Sequence, residues 1–468
     1  IDNKKRDYLM TYIGLLAGLA LLIWLALRGI NVVFASLICA LVVIVTNQLP
    51  LAEALSQHYA LGPLGAFTFA GKFFLLFVTG AVFGRVMGES HAAASIAQGL
   101  ISLLGKERIL WIIVISSALL TYGGVVVFVV IFAMYPLGLK LLAEADLPKR
   151  LFLGAIALGA GTFTLTALPG TPSIHNVIPA AALGTDLYAG AWLGLFGGAL
   201  MLFLGMWYLE RERAKATARG EHFDPGPTDI LASGEPGDNE YPHWAAAITP
   251  LALVLLIIVS PRLFAAVGGG ANTSTPSTMT ELMSFASSQP ILWPSIALVF
   301  GSLVATLMFQ RIRVAALQVW GHGTHEAIMP LISTAAVIGF GGVVTQTQGF
   351  QQFASLVTES ALPPLLSMFA SISVVSAITG SASGGLQIFM QTMAPSYLAM
   401  GIEPEILHRL VAMASGGFDS LPHCGAVVAM LSITGMTHKG GYKEVAVTTV
   451  VIPVVATLAT LALYSILS

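Results

Sequence analysis

The chain has 468 residues, 56% of them hydrophobic, with 21 Lys and Arg against 23 Asp and Glu, a net charge of −2 and a mean hydropathy of +0.84. Charged residues make up 9%, against roughly a quarter in soluble domains, too few to clothe a soluble surface of this size. The near-neutral balance excludes nucleic acid as a partner. Two cysteines in apolar surroundings, Cys39 and Cys424, exclude a disulfide framework. The expected class is an all-α polytopic membrane protein.

A bilayer-spanning helix needs about 20 mainly apolar residues. In chain order, 8–27, 30–49, 67–87, 187–209, 244–264, 290–310 and 445–468 meet this. The first is uncharged, long and not followed by a cleavage site, so it reads as a span rather than a signal peptide. In 67–87, Lys72 and Arg85 are expected to snorkel or to pair with a carboxylate such as Glu89, and Gly80, Gly84 and Gly88 form a stripe for close helix packing. Four uncharged runs are too long for one span: 109–139, 151–185, 327–358 and 361–402. Gly, Pro and Ser/Thr clusters break each of them. Such breaks survive at membrane depth only where protein or a wet cavity satisfies the freed backbone groups, so they predict re-entrant hairpins and broken helices. The segment 210–240 holds 12 charged residues with Pro225, Gly226, Pro227, Pro236 and Gly237, and reads as a flexible linker.

On either side of that linker the sequence echoes itself at an offset of about 250 residues. Gly84 in "AVFGRV" pairs with Gly339 in "AVIGFG". "TYGG" (121–124) pairs with "TGSASGG" (379–385), "DLP" (146–148) with "IEP" (402–404), and "LPGTPSIH" (168–175) with "LPHCG" (421–425). The expected organisation is a first repeat over 1–209, a cytoplasmic linker over 210–243 and a second repeat over 244–468. Each repeat has five crossings plus one re-entrant hairpin with a broken helix. Five is odd, so the second repeat is expected to be inverted, as in many secondary transporters.

Basic residues orient the chain, because cytoplasmic loops are enriched in them. With Arg211, Arg213, Lys215 and Arg219 inside, the repeats also place Arg28, Lys106, Arg108, Lys140, Lys149, Arg150, Arg311, Arg313, Lys439 and Lys443 inside. Lys4, Lys5, Arg6, Arg262 and Arg409 fall on the wrong side or at depth. In this orientation the first hairpin (109–141) opens from the cytoplasm and the second (363–398) from the outside.

Two hairpin tips and two helix breaks should then meet near the bilayer midplane. The first tip offers Thr121, Tyr122, Gly123 and Gly124, and the first break Thr166, Gly170, Thr171 and Ser173. The second tip offers Thr379, Gly380, Ser381, Ser383 and Gly384, and the second break Ser420 and His423. Gly lets a ligand approach the backbone, Pro stops the helix, and the freed N–H groups of half-helices attract an anion. The plainer reading is four kinks packed by small residues. No Lys or Arg lies in these segments, which favours a monocarboxylate over a phosphate ester. Asp419 is their only acidic residue, and an intramembrane carboxylate is a candidate for ion coupling. The alternative is a structural Asp bonding freed amides. His175 and His423, at matching positions, are candidates for titration near neutral pH or for ordinary hydrogen bonding. His322, His325 and Glu326 have a spacing that suits a metal, but beside Arg311 and Arg313 they read as a solvated interfacial linker. No cofactor and no metal are expected.

Four blocks carry a family resemblance: "TYGGVVVFVVIFAMYPL" (121–137), "TLTALPGTPSIHNVIPAAALGT" (164–185), "TGSASGGLQIFMQTMAP" (379–395) and "SGGFDSLPHCGAVVAMLSITGMTHKGGYKEV" (415–445). Across nearly the whole chain the arrangement resembles the gluconate permease family of organic-acid:proton symporters, within the ion-transporter superfamily of elevator-type carriers. The last block is most similar to the hydroxybutyrate-permease branch. Sugar-acid members have a more polar segment in place of "TALPGTPSIH", which favours a smaller, less hydroxylated acid. The resemblance implies a homodimer in the bacterial inner membrane, with outer helices as scaffold and a mobile transport domain holding hairpins and broken helices. The expected function is import of a small organic (hydroxy)monocarboxylate, such as 3-hydroxybutyrate or gluconate, by proton symport. Sodium coupling is the near alternative, since unwound carbonyls and Thr or Ser oxygens also bind sodium. An intramembrane enzyme lacks its motifs here, with no H-E-x-x-H and no G-x-S-x-G. A channel would not need opposed hairpins.

Overall fold

The computed structural model describes residues 14–15, 17–25, 28, 30–125, 127–226, 241–267, 278–358, 360–422 and 424–468. Most of the first half of the expected span 8–27, the basic cluster at Lys4, Lys5 and Arg6, the linker residues 227–240, and His423 lie outside the described residues.

Every regular element among the described residues is helical. The main ones are α1 (Val32–Thr46), α2 (Ala66–Glu89), α3 (Ala92–Leu104), α4 (Ile109–Tyr122), α5 (Val127–Glu144), α6 (Lys149–Gly161), α7 (Phe163–Thr166), α8 (Ile174–Leu183) and α9 (Ala191–Ala218). After the linker come α10 (Trp244–Ala266), α11 (Thr278–Ser288), α12 (Leu292–Met308), α13 (Ala316–Val344), α14 (Gln348–Thr358), α15 (Pro364–Thr379) and α16 (Ala382–Thr392). The last four are α17 (Pro404–Ser415), α18 (Gly425–Ile433), α19 (His438–Ala446) and α20 (Ile452–Leu467). One order of elements, a long helix, a short one, a two-armed hairpin, an interrupted helix and a long helix, occurs over 66–218 and again over 316–467.

Five helical stretches are long and apolar enough to cross a bilayer: Leu51–Glu89, Ala191–Ala218, Trp244–Ala266, Ala316–Val344 and His438–Leu467. The pair α11 and α12, bent by 108° at its break, makes a sixth candidate. Large apolar side chains such as Phe67, Phe203, Trp207 and Leu307 face outward on these helices. A soluble protein rarely exposes such stripes, whereas lipid accepts them. The hairpin arms are different. α4 has 14 residues and α16 has 11, so at 1.5 Å per residue they reach about 21 and 17 Å, short of the ~30 Å hydrocarbon layer.

Helices α1, α2, α10, α12 and α13 pack side by side as one layer. Gly323 of α13 stands so close to α2 that a Cβ there would lie 2.7 Å from the Val82 Cα, the small-residue contact that lets membrane helices approach. Arg85 donates to Glu89 one turn away, as expected, and at 2.6 Å to Glu326 of α13. His322, His325 and Glu326 are exposed, as expected of a solvated stretch, but they lie within the continuous helix α13, so the expected linker there is corrected to a helix. Glu326 serves as an ion-pair partner there. Cys39 and Cys424 are both buried free thiols.

Helix α9 runs past residue 209, where the linker was expected to begin, and continues to Ala218. Pairs one turn apart hold it, Glu210 with Arg213 at 2.7 Å and Glu212 with Lys215 at 2.6 Å. Glu212 is only 2% exposed and also meets Lys443 at 3.1 Å and Arg150 at 3.4 Å. Arg150 in turn reaches the buried Glu444 and, at 2.9 Å, Glu221. The charged ends of α6, α9 and α19 are thus gathered at one end of the molecule. There, the Phe223 N–H and His222 hydrogen-bond the exposed Asp146 and hold its carboxyl below the usual range.

Candidate functional site

The first interruption begins where α6 stops at Gly161. One turn, α7, follows, and residues 167–173 are unwound. Pro169 and Pro172 have no N–H to give a helix. Gly170 has φ +83° and donates its N–H to the Leu187 carbonyl at 2.8 Å. Ser173 starts α8 by accepting the His175 N–H at 3.3 Å, and its Oγ lies 2.9 Å from His175 Nδ1. Thr171 is buried. Its hydroxyl accepts the Ser173 N–H, and its carbonyl accepts from Asn176 at 2.9 Å.

A side chain at position 170 would be strained twice, by the left-handed backbone and by a Cβ 2.6 Å from the Tyr188 ring. Gly170→Ala is expected to cost more than ~1 kcal/mol and lower the melting temperature of the detergent-solubilised protein. Gly71→Ala, where nothing lies within 4 Å of the new Cβ, is expected to leave the melting temperature unchanged.

The first hairpin tip closes on this break. Thr121 Oγ1 lies 2.9 Å from Thr164 Oγ1 and 2.9 Å from the Ser117 carbonyl. Tyr122 donates its hydroxyl to the Pro169 carbonyl at 2.7 Å. Gly123 sits against Leu251 of α10, and Gly124, at φ +97°, sits against Pro172.

The second tip and break are joined in a corresponding way. Helix α15 ends at Thr379, and Gly380 turns the chain at φ +58°. Ser381 caps α16 by accepting the Gly384 N–H at 3.2 Å, with Ser383 Oγ 3.1 Å away. Thr379 donates to the Ser381 carbonyl at 3.0 Å. Helix α17 stops at Gly416 and Gly417, and a single 3-10 turn, Phe418–Ser420, carries Asp419. Asp419 accepts from Ser420 Oγ at 3.0 Å, and the turn that carries it packs against both arms of the second hairpin, α15 and α16. It remains partly accessible. Tyr442 donates to the Ser420 carbonyl at 3.0 Å, and His438 Nε2 lies 2.9 Å from the Pro422 carbonyl.

The two breaks touch. A Cβ on Gly416 would lie 2.7 Å from Thr166 Cγ2. Each hairpin also sends its second arm across, with α16 against α8 and α5 against α18. The structure therefore brings the four sequence segments into one chain of contacts, from tip to break, break to break and break to tip. Several hydroxyls are spent on the local backbone: Thr121 on Ser117, Thr166 on Thr162, Thr379 on Val375. The N-termini of α8 and α16 carry serine caps, whereas α18 has no side-chain cap.

Sequence reasoning missed the pair that holds the first break in place, His408 and Arg409 of α17. Arg409 is fully buried and donates to four carbonyls: Ala189 at 2.9 Å, Ala167 at 3.1 Å, Leu187 at 3.1 Å and Leu168 at 3.5 Å. His408, also fully buried, lies 2.9 Å from Asn176 Oδ1 and 2.7 Å from Thr185 Oγ1. The available signal was an ionisable pair inside an apolar helix, which marks a functional or positioning role by default.

A multi-pass helical membrane protein whose helices break at paired, contacting points has the architecture of membrane carriers. The family model for GntP family permeases matches residues 10–467, and the chain belongs to that family: it is a transporter, not an enzyme. It is 38% identical to the uncharacterized transporter YxjC of Bacillus subtilis, over 97% of this chain and 99% of that one. It is 24% identical to a high-affinity gluconate transporter of Escherichia coli, over 85% and 86%. In fold it is similar to the crystal structure of the Alcanivorax borkumensis YdaH transporter, with a TM-score of 0.54 and 14% identity, covering 85% of this chain and 86% of that one.

Proposed function

We propose that this permease imports a small organic (hydroxy)monocarboxylate, of the size of 3-hydroxybutyrate or, in a roomier site, gluconate, by proton symport with alternating access. The observation that carries the reading is Asp419. The single carboxylate of the four converging segments sits in the turn that packs against both arms of the second hairpin, α15 and α16, so a proton arriving there changes the charge at the contact between two elements that line the site. The uncapped N-terminus of α18 and the Ser381 and Ser383 hydroxyls supply donors for a carboxylate. Membership of the GntP family and the gluconate transporter among the relatives support an organic acid as cargo.

The recurring element order supports two inverted repeats, 1–209 and 244–468, around a cytoplasmic linker. We read α1, α2, α10, α12 and α13 as scaffold and the hairpins with their broken helices as the moving part of an elevator. A homodimer in the bacterial inner membrane completes the proposal. Sodium coupling is the second reading. The oxygens of Ser117, Gly159 and Thr164 gathered around Thr121 Oγ1 favour it.

Proteoliposomes separate the two. Gluconate, lactate, 3-hydroxybutyrate, acetoacetate and citrate are offered under an inward pH gradient or an inward sodium gradient. Accumulation of a monocarboxylate under the pH gradient, collapsed by a protonophore, is expected. Accumulation under the sodium gradient alone overturns proton coupling, and uptake of none of the five overturns the substrate class.

A further inference from the structure

Two of the arginines that do not fit the charge pattern of the chain, Arg262 and Arg409, hold the same short loop. Arg409 grips the Leu187 and Ala189 carbonyls from below. Arg262, near the C-terminal end of α10, grips the Asp186 carboxylate with two contacts, 2.8 and 3.1 Å, and lies over the Tyr188 ring at 4.9 Å. This loop, 184–190, begins α9, and α9 ends at the charged cluster with Glu212 and Lys215. With 28 residues, α9 is about 42 Å long, so the loop lies at the opposite end of the molecule from that cluster.

Arg262 and Asp186 face a cavity of about 410 Å³ between the loop and helices α10, α11 and α12. That is the size range of small-molecule sites. Among the described residues lining it, Arg262 is the only basic one and Asp186 the only acidic one, and Tyr188 and Trp293 supply aromatic walls. Tyr188 is also the wall shared with the transport site, because its ring packs on Gly170 in the first break. The Arg262–Asp186 pair is open to solvent, with side chains 45% and 38% exposed. Such exposed pairs are weak, so a second carboxylate can compete for the guanidinium.

We infer that this cavity is an outer vestibule site for a carboxylate, in which Arg262 exchanges Asp186 for the incoming anion beside the first break. It rests on the proposed function for the nature of the cargo and for the outward direction of this face. Arg262 presents a planar fork that suits a carboxylate bidentately, and the cavity is bounded by the loop that Arg409 ties to the break. An anion seated there releases Asp186 and sits next to Tyr188, one ring away from Gly170.

The test rests on two variants with opposite expected effects. Arg262→Gln removes the receptor and is expected to raise the uptake KM for the transported acid about tenfold with little change in maximal rate. Asp186→Asn removes the competitor, keeps the oxygen that accepts the Tyr188 N–H at 2.7 Å, and is expected to lower KM several-fold. If the pair is only a structural tie, both variants change transport in the same direction, and the exchanged pair Asp186→Arg with Arg262→Asp restores it; either result overturns the inference. Binding is read without transport by the fluorescence of Trp293, taken as the difference between the protein and its Trp293→Phe variant. Titration with 3-hydroxybutyrate and with gluconate is expected to change that signal in the unsubstituted protein and not in Arg262→Gln. A signal absent from both proteins, or equal in both, overturns the site even where uptake succeeds. Failure of uptake with an intact Arg262-dependent signal counts against the proposed cargo instead.

Discussion

Arg409→Met is expected to abolish uptake and to lower the melting temperature of the purified protein steeply. The guanidinium draws the Ala167, Leu168, Leu187 and Ala189 carbonyls to one point; of these, Leu187 also accepts from the Gly170 N–H and from Asn176. Methionine fills much of the space and offers no donor. Each carbonyl left unsatisfied in a buried site costs about 1–3 kcal/mol, and stripping one partner from a buried charged arrangement typically costs ~3–5 kcal/mol in all. Arg409→Lys keeps the charge but not the fork, so it reaches fewer carbonyls at once. It is expected to fold, to melt below the wild type and to transport slowly. Melting curves in detergent and initial uptake rates in proteoliposomes check both variants. An Arg409→Met protein that melts and transports like wild type would show that the break is held by other contacts.

Asp419→Asn is expected to separate coupling from movement. Asn has nearly the shape of the Asp side chain and keeps an oxygen to accept from Ser420 Oγ, so the turn keeps its packing on the second hairpin. It cannot carry a proton. Uphill accumulation driven by an acid exterior is therefore expected to fall to background, while exchange of external for internal substrate, which needs no net proton movement, persists. The wild type is expected to accumulate more as the outer pH falls, and the variant to show a flat response. Counterflow and net uptake, measured on the same vesicles across outer pH, test this together. Gradient-driven accumulation by Asp419→Asn equal to that of the wild type removes Asp419 as the proton carrier.

Much of this fold can be read from the sequence because membranes impose so few backbone solutions. The uncharged runs over 109–139 and 361–402 were too long for a span and carried Gly clusters, and they became the hairpins α4–α5 and α15–α16. The breaks at 167–173 and 416–422 fell where Pro169 and Pro172 cannot continue a helix and the pair Gly416 and Gly417 weakens one. Local chemistry settles such places, whereas long-range partnership does not show in it. Arg409 looked like a misplaced charge because charge counting ignores depth. Only the fold brings α17 under a loop that lies more than two hundred residues earlier. The hydroxyls show the same limit. The sequence displays Thr121, Thr166 and Thr379 as donors at tips and breaks, but a threonine in a helix returns its hydrogen to the preceding turn when geometry permits. Each of the three does so.

The Arg409 contacts have a consequence for how the chain is made. Its partners lie 220 to 242 residues upstream, and synthesis proceeds from the N-terminus. The carbonyls at 167, 168, 187 and 189 therefore enter the bilayer well before the arginine that satisfies them has been translated. Until α17 arrives, water, lipid headgroups or an insertion factor must serve those oxygens. The N-terminal helices can be threaded early, but the first break acquires its final shape only once α17 has been translated. A nascent chain stalled before residue 404 carries every residue of the first break and lacks the side chain that closes it.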